Sequence, residues 1–261
     1  ERRQPVQSAA ALSTNPDAEI PLVGQSPAMQ NLYRLIARAM NAAAPVLVLG
    51  EPGTGKSLIA SSLHNFSTRA DRPIVVLHPE MTESQSAITD AIQRAGLGTL
   101  ILDGVSDLSP AAQLRVLHTL GEPSERTARL ISIAGPNILA DVQNGNFRND
   151  FFFRISSLQL TVPALRERIE DISVLAQYFI NIAESGVAFQ FSAAGLSALR
   201  GFSWPGNVRQ LQNVMRQLMM ESSNAIFDGP TVQDILKKGG PSSSLSRLPP
   251  SEKLSDAVEM H

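Results

Sequence analysis

Apolar positions recur along this chain in two rhythms, and the alternation between them predicts its elements. Met29, Leu32, Leu35, Ile36 and Met40 repeat at helical spacing behind Ser26, a good N-cap, and Pro27 at the first helical position. A short unbroken apolar run follows at residues 45–49 and ends in a glycine-rich turn. Comparable runs occur at 74–77, 100–102 and 130–134. Each has the length of a buried strand. Between them lie helical stretches at 83–95, with Ile88, Ala91, Ile92 and Ala95 on one face and Gly96 as a stop, and at 109–120, again opened by Ser-Pro. Strands alternating with helices predict right-handed crossovers and a mainly parallel sheet covered on both faces. Beyond Val162 the strand signal stops. Residues 170–184, 192–200, 205–221 and 231–237 all read as helices, and Val208, Leu211, Val214, Met215 and Leu218 form one apolar stripe of the kind a core takes. The fold class predicted is α/β, a parallel sheet sandwiched by helices and followed by a small helical subdomain, with no internal repeat.

Composition narrows the partners. The length of 261 residues admits one large domain or a large and a small one, and 43% hydrophobic residues suit a globular chain. A net charge of −2 leaves no electrostatic footprint for nucleic acid. The chain has no cysteine, which removes disulfides, thiolate nucleophiles and Cys-based metal sites and fits a cytoplasmic protein. No apolar run approaches the ~18 residues that a membrane span needs. Residues 1–18 read as a polar linker and 237–252, rich in Pro, Gly and Ser, as a flexible one, so the chain is expected to be the middle of a longer protein.

The chemistry concentrates after the first strand. Gly50-Glu51-Pro52-Gly53-Thr54-Gly55-Lys56-Ser57 matches G-x-x-x-x-G-K-[ST] in full, between an apolar strand and a helix. In such a loop the glycines let backbone N–H groups curl around phosphates, and the helix N-terminus adds its positive end. Lys56 is expected on the β- and γ-phosphates of ATP or ADP, and the Ser57 hydroxyl on Mg2+. A second apolar strand ends in Asp103, where a carboxylate at a strand tip is placed to hold the same metal. His64 and His118 fall within helical stretches without metal-ligand spacing and read as packing or surface residues.

With these motifs in place, the chain resembles the central AAA+ domain of the bacterial sigma-54-dependent activators, the NtrC type in particular. The likeness runs from about residue 21 to 236 and rests on PLVGQSPAMQNLYRLIARAM, GEPGTGKS, NGNFRNDFFFRI, VPALRERIEDI and FSWPGNVRQLQN. It implies an AAA+ α/β subdomain at 19–163, a helical lid subdomain at 164–236 and the start of a C-terminal DNA-binding region at 253–261. It also implies that Arg148 and Arg154 reach the neighbouring subunit's site as arginine fingers, a role that suits a guanidinium stabilising γ-phosphate charge. Arg209 matches sensor II, with Pro205 at a first helical turn aiming it, and Leu22 and Val23 match the segment that packs on adenine. The partners implied are further copies of the chain in a ring or dimer, RNA polymerase, DNA through a helix-turn-helix outside this chain, and an upstream receiver domain with its sensor kinase.

The departures from the family pattern are specific. The GAFTGA sequence, with which the family grips the alternative sigma factor, does not occur, and the stretch 73–99 is too short to hold its loop. Gly104 stands where hydrolysing relatives carry a glutamate that works on the attacking water. His78 replaces the asparagine that switches it, and Gly135-Pro136 occupies the sensor I position. Asn137 or Asp107 are the nearby polar residues available as substitutes, and Ser57 restores a direct magnesium ligand where the family has glutamate. Binding parts are kept and hydrolytic parts are altered. The expected function is an ATP-binding regulator that acts with the housekeeping sigma factor. The alternatives are a hydrolysing AAA+ ATPase, or a non-activating scaffold or repressor in which the nucleotide is structural.

Overall fold

The computed structural model describes residues 22–120, 127–183, 187–222 and 225–238. The expected linkers at 1–18 and 237–252 and the region 253–261 lie outside them, except that Lys237 and Lys238 belong to the last described helix rather than to a linker. Two compact units are present, one of residues 22–175 with Trp204–Gln210, the other of Ala176–Ser203 with residues 211–238.

In the first unit α1 (Pro27–Ala39) starts as expected, the Ser26 hydroxyl accepting from the Met29 amide at 3.3 Å. Five parallel strands follow: β1 (Val46–Leu49), β2 (Ile74–Leu77), β3 (Thr99–Asp103), β4 (Arg129–Ala134) and β5 (Leu158–Thr161), in the order β2-β3-β4-β1-β5. Helices α2 (Lys56–Asn65), α3 (Gln85–Ala95), α4 (Pro110–Thr119), α5 (Ile138–Gln143) and α6 (Asn149–Ile155) cross between strands. The pleat divides the core in two. Leu47, Leu49, Leu100, Leu102 and Leu130 pack with α3, α4 and α6, while Val46, Val48, Ile101, Ile131 and Ile133 pack with α1 and α2. Burial on both faces is why β1, β3 and β4 read as unbroken apolar runs rather than alternating ones. β5 escaped that reading because it is an edge strand in which Leu160 is buried while Gln159 and Thr161 are exposed.

In the second unit, helix α7 (Asp171–Ile182, shared with the first unit), α8 (Ala193–Arg200), α9 (Asn207–Glu221, entering it at Leu211) and α10 (Gly229–Lys238) are joined by a two-residue parallel pair, β6 (Gln190–Phe191) with β7 (Ile226–Phe227). The expectation that strands end at Val162 is therefore corrected. β6 and β7 are too short for any periodicity. Their pairing is reinforced by Phe227, which stacks on Phe189 at 5.0 Å between ring centroids. A side chain on Gly195 of α8 would strike the Phe227 carbonyl at 2.3 Å, so close packing requires glycine there. The stripe on α9 is core, with Leu211, Val214, Met215 and Leu218 buried.

The start of α9 also differs from expectation. Pro205 is not in the helix: Trp204 to Gly206 form a turn and the helix opens at Asn207. Trp204 and Asn207 both hold left-handed backbone, φ 51° and 52°. Asn tolerates that conformation, and its buried side-chain amide is held by three hydrogen bonds.

Candidate functional site

The P-loop lies between the end of β1 and the start of α2, as its motif requires. Gly55 precedes α2 with left-handed backbone and no capping side chain, which leaves the first-turn amides of the helix available to an anion. Lys56 Nζ donates to the carbonyls of Gly50 at 2.8 Å and Glu51 at 2.9 Å, so the ammonium is held across the mouth of the loop. Burial pushes the Lys56 ammonium below its ordinary pKa, and the charges of Asp103, Arg209 and Glu51 also act on it, Arg209 in the same direction and the two carboxylates against it. The Ser57 hydroxyl, in the first turn of α2, donates to Asp103 at the tip of β3 at 3.4 Å. A hydroxyl and a carboxylate of this kind are hard oxygen ligands suited to Mg2+.

The far half of the loop is clamped by residues the sequence reading did not single out. Arg166 forks onto Glu51, Nη1 to Oε2 at 2.8 Å and Nη2 to Oε1 at 2.5 Å. Asn207 Nδ2 donates to the same Oε2 at 3.1 Å and to the Pro52 carbonyl at 3.0 Å, while its Oδ1 accepts from the Leu165 amide at 2.8 Å. These bonds, Arg166 first and Asn207 second, hold the Glu51 carboxyl down at about 2. The Arg209 amide donates to the Gly53 carbonyl at 3.2 Å. Gly53 has φ 77°, and a Cβ there would strike the Gly206 carbonyl at 2.3 Å, so this approach is open to glycine alone.

Leu22 and Val23 are half-buried at the start of the described chain, where the Tyr33 hydroxyl donates to the Leu22 carbonyl at 3.3 Å. Asp171 fixes that segment: its buried carboxylate accepts from the Gln25 amide at 2.6 Å, the Ser26 amide at 2.8 Å and the Ser26 hydroxyl at 2.7 Å. Arg168, also buried, donates to the Thr54 carbonyl at 3.0 Å from behind the loop. Arg166, Arg168 and Asp171 all belong to the LRERIED stretch and Asn207 to WPGN. The motifs were visible, but which member of each reaches the loop depends on tertiary contacts.

The structure does not bring Arg148 or Arg154 to the loop of their own chain. Arg148 pairs with exposed Asp150 at 2.7 Å. Arg154 reaches the Leu120 carbonyl at 3.5 Å and borders a cavity of about 70 Å³ with Ala43, Pro45, Leu100 and Leu130, at the end of the sheet where β1 begins. Gly104 has left-handed backbone, φ 80°, and a Cβ there would lie 3.3 Å from Asp107 Oδ2. Gly135, at the sensor I position, is turned toward that same loop, its amide donating to the Ser106 hydroxyl at 3.2 Å. Between β2 and β3 the chain holds only a short 3₁₀ helix (Pro79–Glu83) and α3.

A five-stranded parallel sheet with a P-loop after β1, an acidic residue at the tip of β3 and a helical unit after it defines an AAA+ P-loop domain. Comparison with known proteins gives the particular family. Residues 23–165 match the sigma-54 interaction domain, and 166–247 match an AAA+ ATPase lid domain. The chain belongs to that family, as the central AAA+ domain of an NtrC-type activator. It is 33% identical to the DNA-binding transcriptional regulator NtrC of Azospirillum brasilense over 94% of this chain and 57% of that protein. It is 38% identical to NtrC of a Bradyrhizobium strain over 76% of this chain and 48% of that one. The chain thus spans about half the length of the curated relatives it matches. Among solved structures it is similar to NtrX from Brucella abortus in complex with ATP, with a TM-score of 0.73 and 27% identity, covering 85% of this chain and 60% of that one. None of the described helices is long and apolar enough to cross a membrane.

Proposed function

We propose that this chain binds ATP with Mg2+ and uses the nucleotide to control self-assembly of a cytoplasmic NtrC-type transcription regulator that works with the housekeeping sigma factor. One contrast carries the reading. The phosphate cradle is complete in Lys56, Ser57 and Asp103, while the span between β2 and β3, where the family's sigma-54-gripping loop belongs, is filled by one 3₁₀ helix and α3. Ser57 and Asp103 would hold the metal, which offsets phosphate charge, and Lys56 would leave its carbonyls for the β- and γ-phosphates. Leu22 and Val23 would cover the adenine, Arg209 would close on the phosphates, and Arg148 and Arg154 would act on a neighbouring copy. DNA contact, the receiver domain and its kinase belong to the rest of such a protein. The test is calorimetry with ATP-Mg2+ on the chain beside Lys56→Ala, followed by transcription with each sigma factor. Binding lost in Lys56→Ala and activation only with the housekeeping factor are expected; activation only with sigma-54 overturns the reading.

Hydrolysis is proposed to be slow, because Gly104 offers no base and general-base assistance is worth ~10²–10⁴-fold in rate. A second reading, a hydrolysing ATPase, is favoured by one observation. Asp107 places a carboxylate oxygen 3.3 Å from where a side chain at Gly104 would begin. Steady-state turnover at typical AAA+ rates, lost in Asp107→Ala, would establish that reading instead.

A further inference from the structure

Arg166 lies outside every motif position that a P-loop site uses, yet it makes the only fork-to-fork contact to a P-loop side chain among the described residues. Its partner Glu51 is shared with Asn207, which also binds the backbone of Pro52. Asn207 is tied in turn to the Leu165 amide, the residue before Arg166. The ring closes through the backbone, where the Arg209 amide meets the Gly53 carbonyl and the Gly206 carbonyl abuts Gly53. Three segments far apart in sequence, 51–53, 165–166 and 206–209, are thereby locked into one body.

Two consequences follow from the chemistry. Glu51 puts a carboxylate beside a loop built to receive phosphates, and without a partner it would repel them. Arg166 neutralises it in a bidentate geometry that lysine cannot reproduce. The contacts that fix Glu51 also fix the start of α9, so the shape of the cradle and the aim of Arg209 are set together. We infer that Arg166 is a positioning residue for phosphate recognition, acting through Glu51 and Asn207 on the P-loop and on Arg209 without touching nucleotide. This rests on the proposal that the P-loop binds ATP.

The experiment is calorimetric titration of the chain with ATP-Mg2+ and with AMP, in the unmodified protein, Arg166→Ala, Arg209→Ala and the double variant, with thermal unfolding of each alone. Arg166→Ala is expected to weaken ATP about tenfold, the scale of one charge-assisted contact at a partly exposed site, and to leave AMP nearly unchanged. In that background Arg209→Ala should cost far less than in the unmodified chain, because Arg209 is already misaligned. Glu51→Gln should return part of the lost affinity by removing the unpaired charge, which a simple folding defect would not allow. If Arg166→Ala does not fold, Arg166→Lys replaces it, with a smaller loss in the same pattern. Unchanged ATP affinity in Arg166→Ala, equal losses for ATP and AMP, or strict additivity with Arg209→Ala overturns the inference. An unmodified chain that binds no ATP overturns the nucleotide proposal itself, so the two failures are distinct.

Discussion

Gly104 carries more than a missing carboxylate. Its left-handed backbone, φ 80° and ψ 39°, turns the chain at the tip of β3 so that its amide donates to the Ile133 carbonyl at 3.1 Å. A glutamate at this position would suffer the left-handed penalty of an L-residue and crowd Asp107 and Pro79. Gly104→Glu is therefore expected to destabilise the chain by about 1–2 kcal/mol, read as a lower urea midpoint, with Gly104→Asn losing less. An undiminished midpoint would mean that the loop relaxes. His64 offers a second residue-scale outcome. It is buried on α2 with Nδ1 at 2.9 Å from the Thr99 hydroxyl. Burial holds its pKa below the ordinary histidine value of 6.5, the Arg129 charge adding to that and backbone hydrogen bonds at Ala70 and Arg72 opposing it. The unfolded chain then takes up a proton that the native one resists, so the stability from His64 is complete above 6.5 and is lost as pH falls below it. His64→Asn, which keeps a hydrogen-bonding group, should flatten the decline in thermal midpoint just below pH 6.5.

Among elements, α1 and α2 end on a shared device. Arg129, at the first position of β4, is buried and donates to the carbonyls of Ala39 and Met40 at 2.6 Å and of Leu63 at 3.2 Å. A cation at two helix C-termini offsets the negative end of each dipole and satisfies carbonyls that have no partner in the helix. Desolvation lowers the Arg129 pKa to about 10, still well above neutrality. Arg129→Met keeps the stem but drops the donors, and equilibrium urea unfolding is expected to show a loss of about 2–3 kcal/mol. No change would mean that water replaces the guanidinium at both helix ends.

At the scale of the whole molecule, Arg148 and Arg154 pose the question of assembly. Neither meets the P-loop of its own chain; Arg154 lies by the opposite end of the sheet. If they act on a neighbour, Arg148→Ala or Arg154→Ala should weaken ATP-dependent self-association in sedimentation and leave the nucleotide affinity of the monomer nearly unchanged. Equal association in all variants would remove that role.

What the chain's sequence determined by itself was whatever follows from local order. Four apolar runs became four strands, three of them buried on both faces and β2 an edge strand with Ile74 exposed. Ser26, Ser84 and Ser109 cap helices because a hydroxyl reaches an amide three residues on. The P-loop was legible because its glycines, lysine and serine are contiguous. Tertiary structure alone decided the rest. β5 alternates as an edge strand does, β6 and β7 are too short to carry a period, and the left-handed turn at Trp204 moved the helix start past Pro205. The clamp of Glu51, Arg166 and Asn207 joins positions more than a hundred residues apart. Such pairings are set by which surfaces the packed sheet and helices bring together, and no local pattern encodes them.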